Sequence, residues 1–368
     1  MTRNDHDIVC LSVRLGAVRE NYDICRQLAG PAEVAGVVKA DAYGLGMPAI
    51  ARVLLEARCD TFFVARLSEG VALRPLAPHA RIFVLDGATA ATASQLIALR
   101  LNPVLNSLAQ IDAWSAAARE RRTALEAAIH LDTGMNRLGL PASELSVLAA
   151  DAAKRLKAID VKLVMSHLAC ADDPNSPMNT VQLERFRAAL ATLPPAPASL
   201  SSSGGIMLGR AFAFDMVRPG IALYGGNPQP KQSNIFKAVA VLSGSILQLR
   251  RVDKGECVGY AATYRTERPS TLATVALGYA DGLMRAMANR GVGAIAGVRV
   301  PVVGRVSMDL VTLDVTDVPV AALAPGAEVE FIGDTVSLED FAAAAQTASY
   351  EVLTSLGTRI ARRYIEAP

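Results

Sequence analysis

The residue best suited to covalent chemistry in this sequence is Lys39. It follows the short apolar run 34–38, whose β-branched residues are bounded by glycine and polar residues, as is typical of a strand buried on both faces. An amine at the carboxyl end of such a strand loses hydration, which lowers its pKa toward the neutral form that attacks a carbonyl. Tyr43, Gly44 and Gly46 add a hydroxyl and two positions where a ligand could approach the backbone. The alternative interpretation is a lysine that extends to the surface at a strand end.

Two later stretches have the composition of a phosphate site. Residues 201–205 end one predicted strand with three serines and two glycines, and residues 217–221 end the next, leaving the amides of Gly220 and Ile221 free. The last two strands of a barrel commonly hold phosphate, so position and chemistry agree at Ser203 and its neighbours. Serine and glycine runs also occur in ordinary loops, and the residues alone leave both interpretations open.

Three charged or titratable side chains stand where they could orient a ligand. Arg137, in the segment 131–139, has the two-pronged guanidinium that binds a carboxylate. Arg218 is a permanently charged donor within an Arg-Pro-Gly sequence, and His167 lies at a predicted strand end. Each also has an ordinary interpretation, as a solvated loop arginine, a surface turn or a hydrogen-bonded strand-end histidine.

Short apolar segments and helical patterns alternate over the first two thirds of the chain. The predicted strands are residues 34–39, 61–65, 81–85, 102–105, 127–131, 162–167, 199–203 and 215–217, and the predicted helices include 67–73, 107–118, 143–155 and 180–190. Eight strands, mostly followed by helices, predict a (β/α)₈ barrel, with its functional site at the carboxyl ends of the strands. A doubly wound open sheet is the competing architecture.

The pattern changes near Lys237. Valine-rich segments broken by glycine and proline then predict an antiparallel β-strand domain, interrupted by helices at residues 337–345 and 350–360. We therefore predict a barrel domain at residues 11–236 and a β domain at residues 237–368, with residues 1–10 pairing with the latter. A chain of 368 residues is long enough for these two domains.

Composition limits the classes of partner. The formal net charge of +2 is spread without a basic block, so nucleic acid is not expected as a partner. No apolar run reaches membrane-spanning length and the start of the chain is polar, which predicts neither a membrane span nor an export signal. The five cysteines are scattered without a C-x-x-C pair, favouring reduced thiols in a cytoplasm over a metal site or a disulfide scaffold.

Several of these motifs together resemble one family. Residues 37–46, Val-Val-Lys-Ala-Asp-Ala-Tyr-Gly-Leu-Gly, are similar to the pyridoxal-phosphate (PLP) lysine motif of the alanine racemases. Residues 165–172, Met-Ser-His-Leu-Ala-Cys-Ala-Asp, and 216–225, Met-Val-Arg-Pro-Gly-Ile-Ala-Leu-Tyr-Gly, resemble two further motifs of the family. The resemblance covers about residues 13–359. It implies a barrel with a β domain, PLP as cofactor, alanine as substrate and a homodimer with shared active sites.

The resemblance also implies the roles of individual residues. Lys39 would hold PLP and act as the base on the D-alanine face, and Tyr260 would act on the L-alanine face. An arginine beside the pyridine nitrogen cannot accept its proton, so the ring would remain a weak electron sink, which suits racemisation and discourages transamination. The remaining matched positions are Tyr43, Ser203, Gly220 and Ile221 for the phosphate, Arg218 and His167 for the ring, and Arg137 and Met308 for the substrate carboxylate.

Two positions depart from the family pattern. Many members have a lysine that carries a carbamate and positions the arginine, where this chain has His130, which is not expected to carry one. Something else must hold Arg137, and His130 itself and a bound anion are two candidates. Thr358 stands where many members have a tyrosine that contacts the phosphate.

The sequence leaves several functions open. The main prediction is an alanine racemase that supplies D-alanine for peptidoglycan or degrades it. The alternatives are a racemase of broader specificity, a non-catalytic PLP carrier, which would not need Tyr260, an inactive barrel, and a decarboxylase, which would have an acidic residue in place of Arg218.

Overall fold

The computed structural model describes residues 8–366, which form two compact units. The larger unit comprises Val18–Leu223 and Asn227–Phe236, and the smaller comprises the described residues up to Ala17, Tyr224–Gly226 and those from Lys237 onward. The chain enters through strand β1 (Val9–Arg14) and helix α1 (Leu15–Ala29). No helix within residues 8–366 is long and apolar enough to cross a membrane.

The larger unit alternates short parallel strands with helices. Its strands are β2 (Glu33–Val34), β3 (Gly36–Val37), β4 (Thr61–Val64), β5 (Arg81–Val84), β6 (Asn102–Leu105), β7 (Leu125–His130), β8 (Ile159–Met165), β9 (Ala198–Ser199) and β10 (Met216–Val217). Its further helices are α2 (Lys39–Tyr43), α3 (Met47–Glu56), α4 (Leu67–Leu73), α5 (Ala90–Ala98), α6 (Leu108–Arg121), α7 (Ala142–Ala150), α8 (Ala152–Arg155), α9 (Pro177–Leu190) and α10 (Ser203–Met207), with 3₁₀ helices at Arg210–Phe212 and Ile221–Tyr224.

The parallel strands close into a barrel. Strands β3 to β9 form a seven-stranded sheet in chain order. Strand β10 completes the ring, because the amide of Ala35 donates to the carbonyl of Val217 at one edge and the amide of Arg218 donates to that of Ser201 at the other. With β2 and β3 counted as one interrupted strand, the predicted (β/α)₈ barrel is confirmed, and the doubly wound open sheet is not what the chain forms.

Burial on both faces explains why these strands are so apolar. All four residues of β4 and all four of β6 are buried, as expected for parallel strands covered by helices outside and side chains inside. The rings of Phe63 and Phe83, on neighbouring strands, stack with their centroids 4.8 Å apart. This packed interior holds the strand ends, and the residues that follow them, in fixed positions.

Several predicted bounds were wrong. The predicted strand 199–203 is only Ala198–Ser199, and the predicted helical stretch 350–360 ends at Thr354. Two further differences have an identifiable backbone cause. The predicted strand 34–39 ends at Val37, so Lys39 begins α2 instead of ending a strand. The predicted helix 143–155 is two helices, because Asp151 between α7 and α8 has φ −133° and ψ 25°, outside the helical range. Both differences concern backbone angles at single residues, which apolar periodicity does not report.

The smaller unit is built mainly from β-strands. They are β11 (Ala240–Val252), β12 (Cys257–Val258), β13 (Tyr264–Arg265), β14 (Ser270–Ala276), β15 (Val292–Ile295), β16 (Val298–Pro301), β17 (Leu310–Asp314), β18 (Glu328–Ile332) and β19 (Ala361–Ile365). Helices α11 (Leu338–Ala344) and α12 (Ser349–Thr354) and 3₁₀ helices at Tyr260–Ala262, Arg285–Met287 and Val320–Ala322 complete it.

Strand β11 is the centre of the eight-stranded sheet in this unit. It pairs antiparallel with β1, β14 and β18, and its register with β14 shifts between Ile246 and Gln248. Strand β1 pairs through Val9↔Gly244 and its neighbours, and also lies parallel to β19. Of the predicted pairing segment 1–10, residues 1–7 lie outside the described residues. Strands β12 and β13 form a separate hairpin whose loop carries Tyr260.

Candidate active site

Lys39 starts a turn with an unusual backbone. The four residues after it, Ala40 to Tyr43, have φ between 52° and 58°, so the chain makes a left-handed helical turn. A non-glycine residue in this conformation costs roughly 1–2 kcal/mol, so four in succession require support from the surrounding structure. Part of that support is Glu69, whose carboxylate accepts hydrogen bonds from the amides of Ala40, at 2.7 Å, and Ala65, at 2.7 Å.

Burial lowers the pKa of the Lys39 amine below its ordinary value, and the positive charge of Arg137 adds to this effect. The carboxylates of Glu69 and Asp86 oppose it. A lysine that loses its proton more readily is a better nucleophile and a better base. The position therefore suits both covalent attachment of a carbonyl compound and proton transfer.

Arg218 is buried at the end of β10. Its Nη2 donates to the carbonyl of Ser166 at 2.7 Å, its Nη1 donates to the hydroxyl of Ser199, and the guanidinium carbon lies 5.9 Å from the centroid of the Phe63 ring. Its Nε makes no hydrogen bond within the described part of the chain. A donor at Nε thus remains for a ring nitrogen, which fits the role implied by the sequence.

His167 follows Ser166 on the same segment. Burial first, and then the charge of Arg218, hold the pKa of its imidazole well below the ordinary value. Its carbonyl accepts a hydrogen bond from Nε2 of Gln182 at 2.9 Å, which fixes the backbone at this point. A neutral imidazole beside the arginine avoids placing two buried positive charges together.

The residues that follow β9 and β10 lie together. The hydroxyl oxygen of Ser203 accepts hydrogen bonds from the amides of Gly220, at 2.9 Å, and Ala222, at 3.2 Å. A side chain at Gly220 would have no room, since a Cβ there would lie 2.3 Å from the hydroxyl of Tyr43. The amide of Ile221 starts a 3₁₀ helix and makes no hydrogen bond within residues 8–366. The Gly220 amide is engaged with Ser203, whereas the sequence predicted a free amide. The hydroxyls of Tyr43 and Ser203 and the Ile221 amide are the groups that fit a phosphate.

Arg137 lies on an exposed loop that leaves and rejoins the barrel. The Asp132 carboxylate accepts hydrogen bonds from the amides of Gly134, Met135 and Asn136 at 2.9–3.1 Å, and these bonds shape the loop into a tight turn. No side chain in the described residues forms an ion pair with Arg137. Its charge nevertheless affects the pKa of Lys39 and of both buried histidines, so it lies near them and is free to bind a carboxylate.

Three residues on loops of the smaller unit are exposed. Tyr260 is 71% exposed, Met308 54% and Tyr279 44%, although such side chains are usually half-buried or more. Gly278 packs against the carbonyl of Met308, and the amide of Tyr279 donates to the carbonyl of Ser307, so the Tyr279 and Met308 loops are joined.

Ion pairs hold these two loops in place. Arg359 binds the buried carboxylate of Asp281 at 2.6 Å and that of Asp309 at 2.7 Å. Asp281 also accepts the amide of Gly278 at 2.9 Å. Thr358, next to this arginine, is exposed. The network fixes the backbone on either side of Met308 and Tyr279.

The predicted site residues thus fall in two groups. Lys39, Tyr43, Arg137, His167, Ser203, Arg218, Gly220 and Ile221 all belong to the larger unit and follow its strand ends, whereas Tyr260 and Met308 belong to the smaller one. Sequence reasoning missed Glu69, Ser199 and Asn106. A glutamate three residues into a helix reads as an ordinary capping residue, and nothing local indicates that it also binds the Lys39 turn.

A parallel barrel whose strand ends carry a lysine of lowered pKa and a cluster of hydroxyls and amides is typical of an enzyme that binds a phosphorylated cofactor. Models of the "Alanine racemase, N-terminal domain" and "Alanine racemase, C-terminal domain" match residues 13–228 and 239–364. The chain belongs to the alanine racemase family.

Individual relatives agree over nearly the whole length. The chain is 47% identical to an alanine racemase of Rhodospirillum rubrum, over 99% of this chain and 98% of the relative. It is 46% identical to a catabolic alanine racemase of Agrobacterium fabrum, over 97% of this chain and 92% of the relative. Among solved structures, the alanine racemase of Bartonella henselae with covalently bound pyridoxal phosphate superposes with a TM-score of 0.93 at 39% identity, over 97% of this chain and 99% of that one.

Proposed function

We propose that this enzyme interconverts L-alanine and D-alanine by a two-base mechanism, with Lys39 and Tyr260 as the bases. It is a PLP-dependent isomerase, and its relatives, both catabolic and biosynthetic, are alanine racemases. The observation that carries the proposal is the pKa-lowered Lys39 on a left-handed turn beside a phosphate pocket. When bound, PLP would supply an electron-withdrawing system that acidifies the α-hydrogen of alanine.

The residues of the barrel hold and orient the reactants. The pocket of Tyr43, Ser203, Gly220 and Ile221 binds the phosphate through hydroxyls and amides. Arg218 would face the ring nitrogen as a donor. Burial lowers its pKa only to about 9, so it would stay charged near neutral pH and keep its proton. Neutral His167 follows Ser166, whose carbonyl accepts a hydrogen bond from Nη2 of Arg218.

The substrate carboxylate and the α-proton are handled by the remaining residues. Arg137 binds the carboxylate, with the amide of Met308 as a second donor. The Nζ of Lys39 exchanges a proton with Cα on the D-alanine face, and the hydroxyl of Tyr260 does so on the L-alanine face. Two bases are needed because a base fixed on one side of a planar carbon does not reach the other.

We propose further that the enzyme is a homodimer, each active site combining the barrel of one subunit with Tyr260 and Met308 of the other. The exposure of Tyr260, Tyr279 and Met308 in the single chain supports this, because an apolar patch of this kind marks a contact surface. We assign residues 11–236 to the barrel domain and 237–368, with 1–10, to the β domain. The five free cysteines favour the cytoplasm, where D-alanine would enter peptidoglycan synthesis or be degraded.

A chiral assay tests the main proposal. The purified enzyme with PLP is incubated with a panel of L-amino acids, and both enantiomers of each are quantified. Conversion of L-alanine to an equal mixture, with serine and larger amino acids much slower, is expected. If another amino acid is converted faster, that amino acid and not alanine is the preferred substrate. Release of CO₂ without formation of a D-amino acid would support the decarboxylase.

A further inference from the structure

Asn106 fixes the orientation of a buried histidine near the substrate-binding arginine. The Asn106 Nδ2 donates to the carbonyls of Leu85, at 2.9 Å, and Val104, at 2.8 Å, which engages both of its hydrogens. The amide is therefore not free to flip, and its Oδ1 faces Nδ1 of His130 at 2.7 Å. A carbonyl oxygen only accepts hydrogen bonds, so Nδ1 must carry the proton.

The tautomer of His130 follows from this contact. With the proton on Nδ1, the other ring nitrogen, Nε2, is an acceptor with a free lone pair as long as the ring is neutral. Burial first, and then the charges of Arg218 and Arg137, lower the pKa of His130 to about 4, with Asp132 acting in the opposite direction. The ring is thus neutral at physiological pH, and Nε2 has no partner within residues 8–366.

The Nε2 edge of the ring lies under the loop that carries Arg137. A Cβ at Gly139 would lie 3.2 Å from Cδ2 of His130, the carbon bonded to Nε2. The amide of Leu140 donates to the carbonyl of His130 at 2.8 Å, which holds the returning strand of the loop against the histidine. Arg137, two residues before Gly139, is exposed and has no acidic partner in the described chain.

We propose that His130 is the positioning residue for Arg137, its neutral Nε2 accepting a hydrogen bond from the guanidinium when Arg137 closes on the substrate carboxylate. The inference rests on the proposed role of Arg137 as the carboxylate ligand. Asn106 selects the tautomer that this role requires, because it keeps the proton of His130 on Nδ1 and the lone pair on Nε2.

A neutral acceptor has a different effect from the carbamate that the family resemblance implies for this position. An anion would neutralise part of the charge of Arg137, whereas an imidazole orients the guanidinium and leaves its full charge for the substrate. No bound CO₂ is required. The affinity of the enzyme for a carboxylate ligand should therefore be the same in carbonate-free buffer and in buffer with added bicarbonate.

Two substitutions at one position separate this role from a structural one. His130→Gln places an amide oxygen near the position of Nε2 but lacks the donor to Asn106. His130→Asn keeps a donor near the position of Nδ1 but lacks the acceptor toward Arg137. The binding of propionate, a carboxylate without an amino group, to the PLP-loaded enzyme is measured by calorimetry, alongside KM and kcat for alanine and the melting temperature.

If Nε2 positions Arg137, His130→Asn weakens propionate binding and raises KM about 10- to 100-fold, the range for losing one hydrogen bond to a charged group, while kcat changes less than about threefold. In His130→Gln, the affinity for propionate and the KM for alanine should then stay within about threefold of the native values. A larger loss of propionate binding in His130→Gln than in His130→Asn would show that only the contact of the histidine with Asn106 matters, and would overturn the proposal. Equal effects in both variants, or no effect in either, would overturn it as well.

Nitrogen NMR of the four histidines tests the tautomer without turnover. The His130 signal, identified by its loss in His130→Asn, should show a protonated Nδ1 and a bare Nε2 at pH 7, and propionate should shift Nε2. A proton on Nε2 would overturn the proposal. Failure of the proposed function has a different signature, namely a native enzyme that binds propionate with the same dependence on position 130 but racemises no amino acid.

Discussion

The carboxylate of Glu69 accepts the backbone amide of Ala40 at 2.7 Å, and so links α4 to the turn that carries Lys39. Its second oxygen accepts the amides of Ala65 and Arg66 at 2.7 and 3.1 Å. One side chain thus holds both the helix start and the left-handed residues that follow the lysine. The strained turn persists because these charge-assisted hydrogen bonds offset part of its conformational energy.

Replacement of Glu69 by glutamine tests this link. The amide can accept at only one atom and turns its NH₂ toward a backbone donor, so the free energy of unfolding should fall by about 1–3 kcal/mol. Hydrogen exchange at the Ala40 amide should become faster. Urea unfolding and exchange measured by mass spectrometry check this, with the exposed Glu120→Gln as the matched control. Equal stability of the two variants would show that Glu69 does not support the turn.

Lys39 is expected to be the residue that holds the cofactor. Reduction of the enzyme with borohydride should fix one pyridoxyl group per chain, and peptide mapping should locate it on Lys39, because this lysine has a lowered pKa and lies near the phosphate pocket. Lys39→Ala should lose the label and the activity while keeping its melting temperature within a few degrees. A label on any other lysine would contradict the proposed mechanism.

The proposed shared active site predicts complementation between two inactive proteins. Lys39→Ala and Tyr260→Phe are mixed under conditions that exchange subunits, and hybrids are confirmed by native mass spectrometry. Each hybrid should contain one site with both defects and one with neither, so activity should rise toward half of the native value per hybrid. Hybrids that form but stay inactive would show that the two residues act within one subunit.

Tyr260→Phe also tests the division of labour between the bases. Removing one general base lowers the rate about 10²- to 10⁴-fold, and racemisation in both directions should fall by that order because each uses both bases. In heavy water, Lys39 should still exchange the α-hydrogen of D-alanine, much faster than that of L-alanine, as followed by proton NMR. Tyr279→Phe serves as the control, because it also removes the hydroxyl of an exposed tyrosine and keeps the ring. Equal exchange from both enantiomers would exclude Tyr260 as the L-face base.

The buried His130 predicts how stability depends on pH. Its pKa is about 4 in the folded enzyme and about 6.5 in an unfolded chain, so between these values the unfolded state binds more protons. Stability should therefore rise with pH from about 4 to about 6.5 and then level off, His130 contributing roughly 3 kcal/mol. His167, whose pKa is lowered as well, acts in the same direction.

Urea unfolding at pH 4.5 and 7 measures this slope in the native enzyme and in His130→Asn, which lacks the titrating ring and should have a shallower slope. The exposed His79→Asn is the control and should keep the native slope. A native slope in His130→Asn would mean that other groups cause the pH dependence.

How much the sequence could predict is clearest at Lys39 and Ser203. The barrel was predictable because strands buried on both faces leave continuous apolar runs, and eight of them recur between helical patterns. The phosphate site at the hydroxyls and glycines after two strand ends stays a prediction, made from local composition. Both predictions depend only on residues that are neighbours in the chain.

The rest required the tertiary structure, because it depends on residues distant in the chain. Glu69 reaches the Lys39 turn across 29 residues, and Asn106 selects the tautomer of His130 across 24. Neither residue type indicates such a partner, since a carboxylate or an amide can bind any nearby backbone or ring group. The sequence by itself determined the apolar runs that become the barrel strands and the family to which the chain belongs. The closure of the barrel decided which side chains meet, because only packing fixes the distances and burial on which hydrogen bonds and pKa values depend.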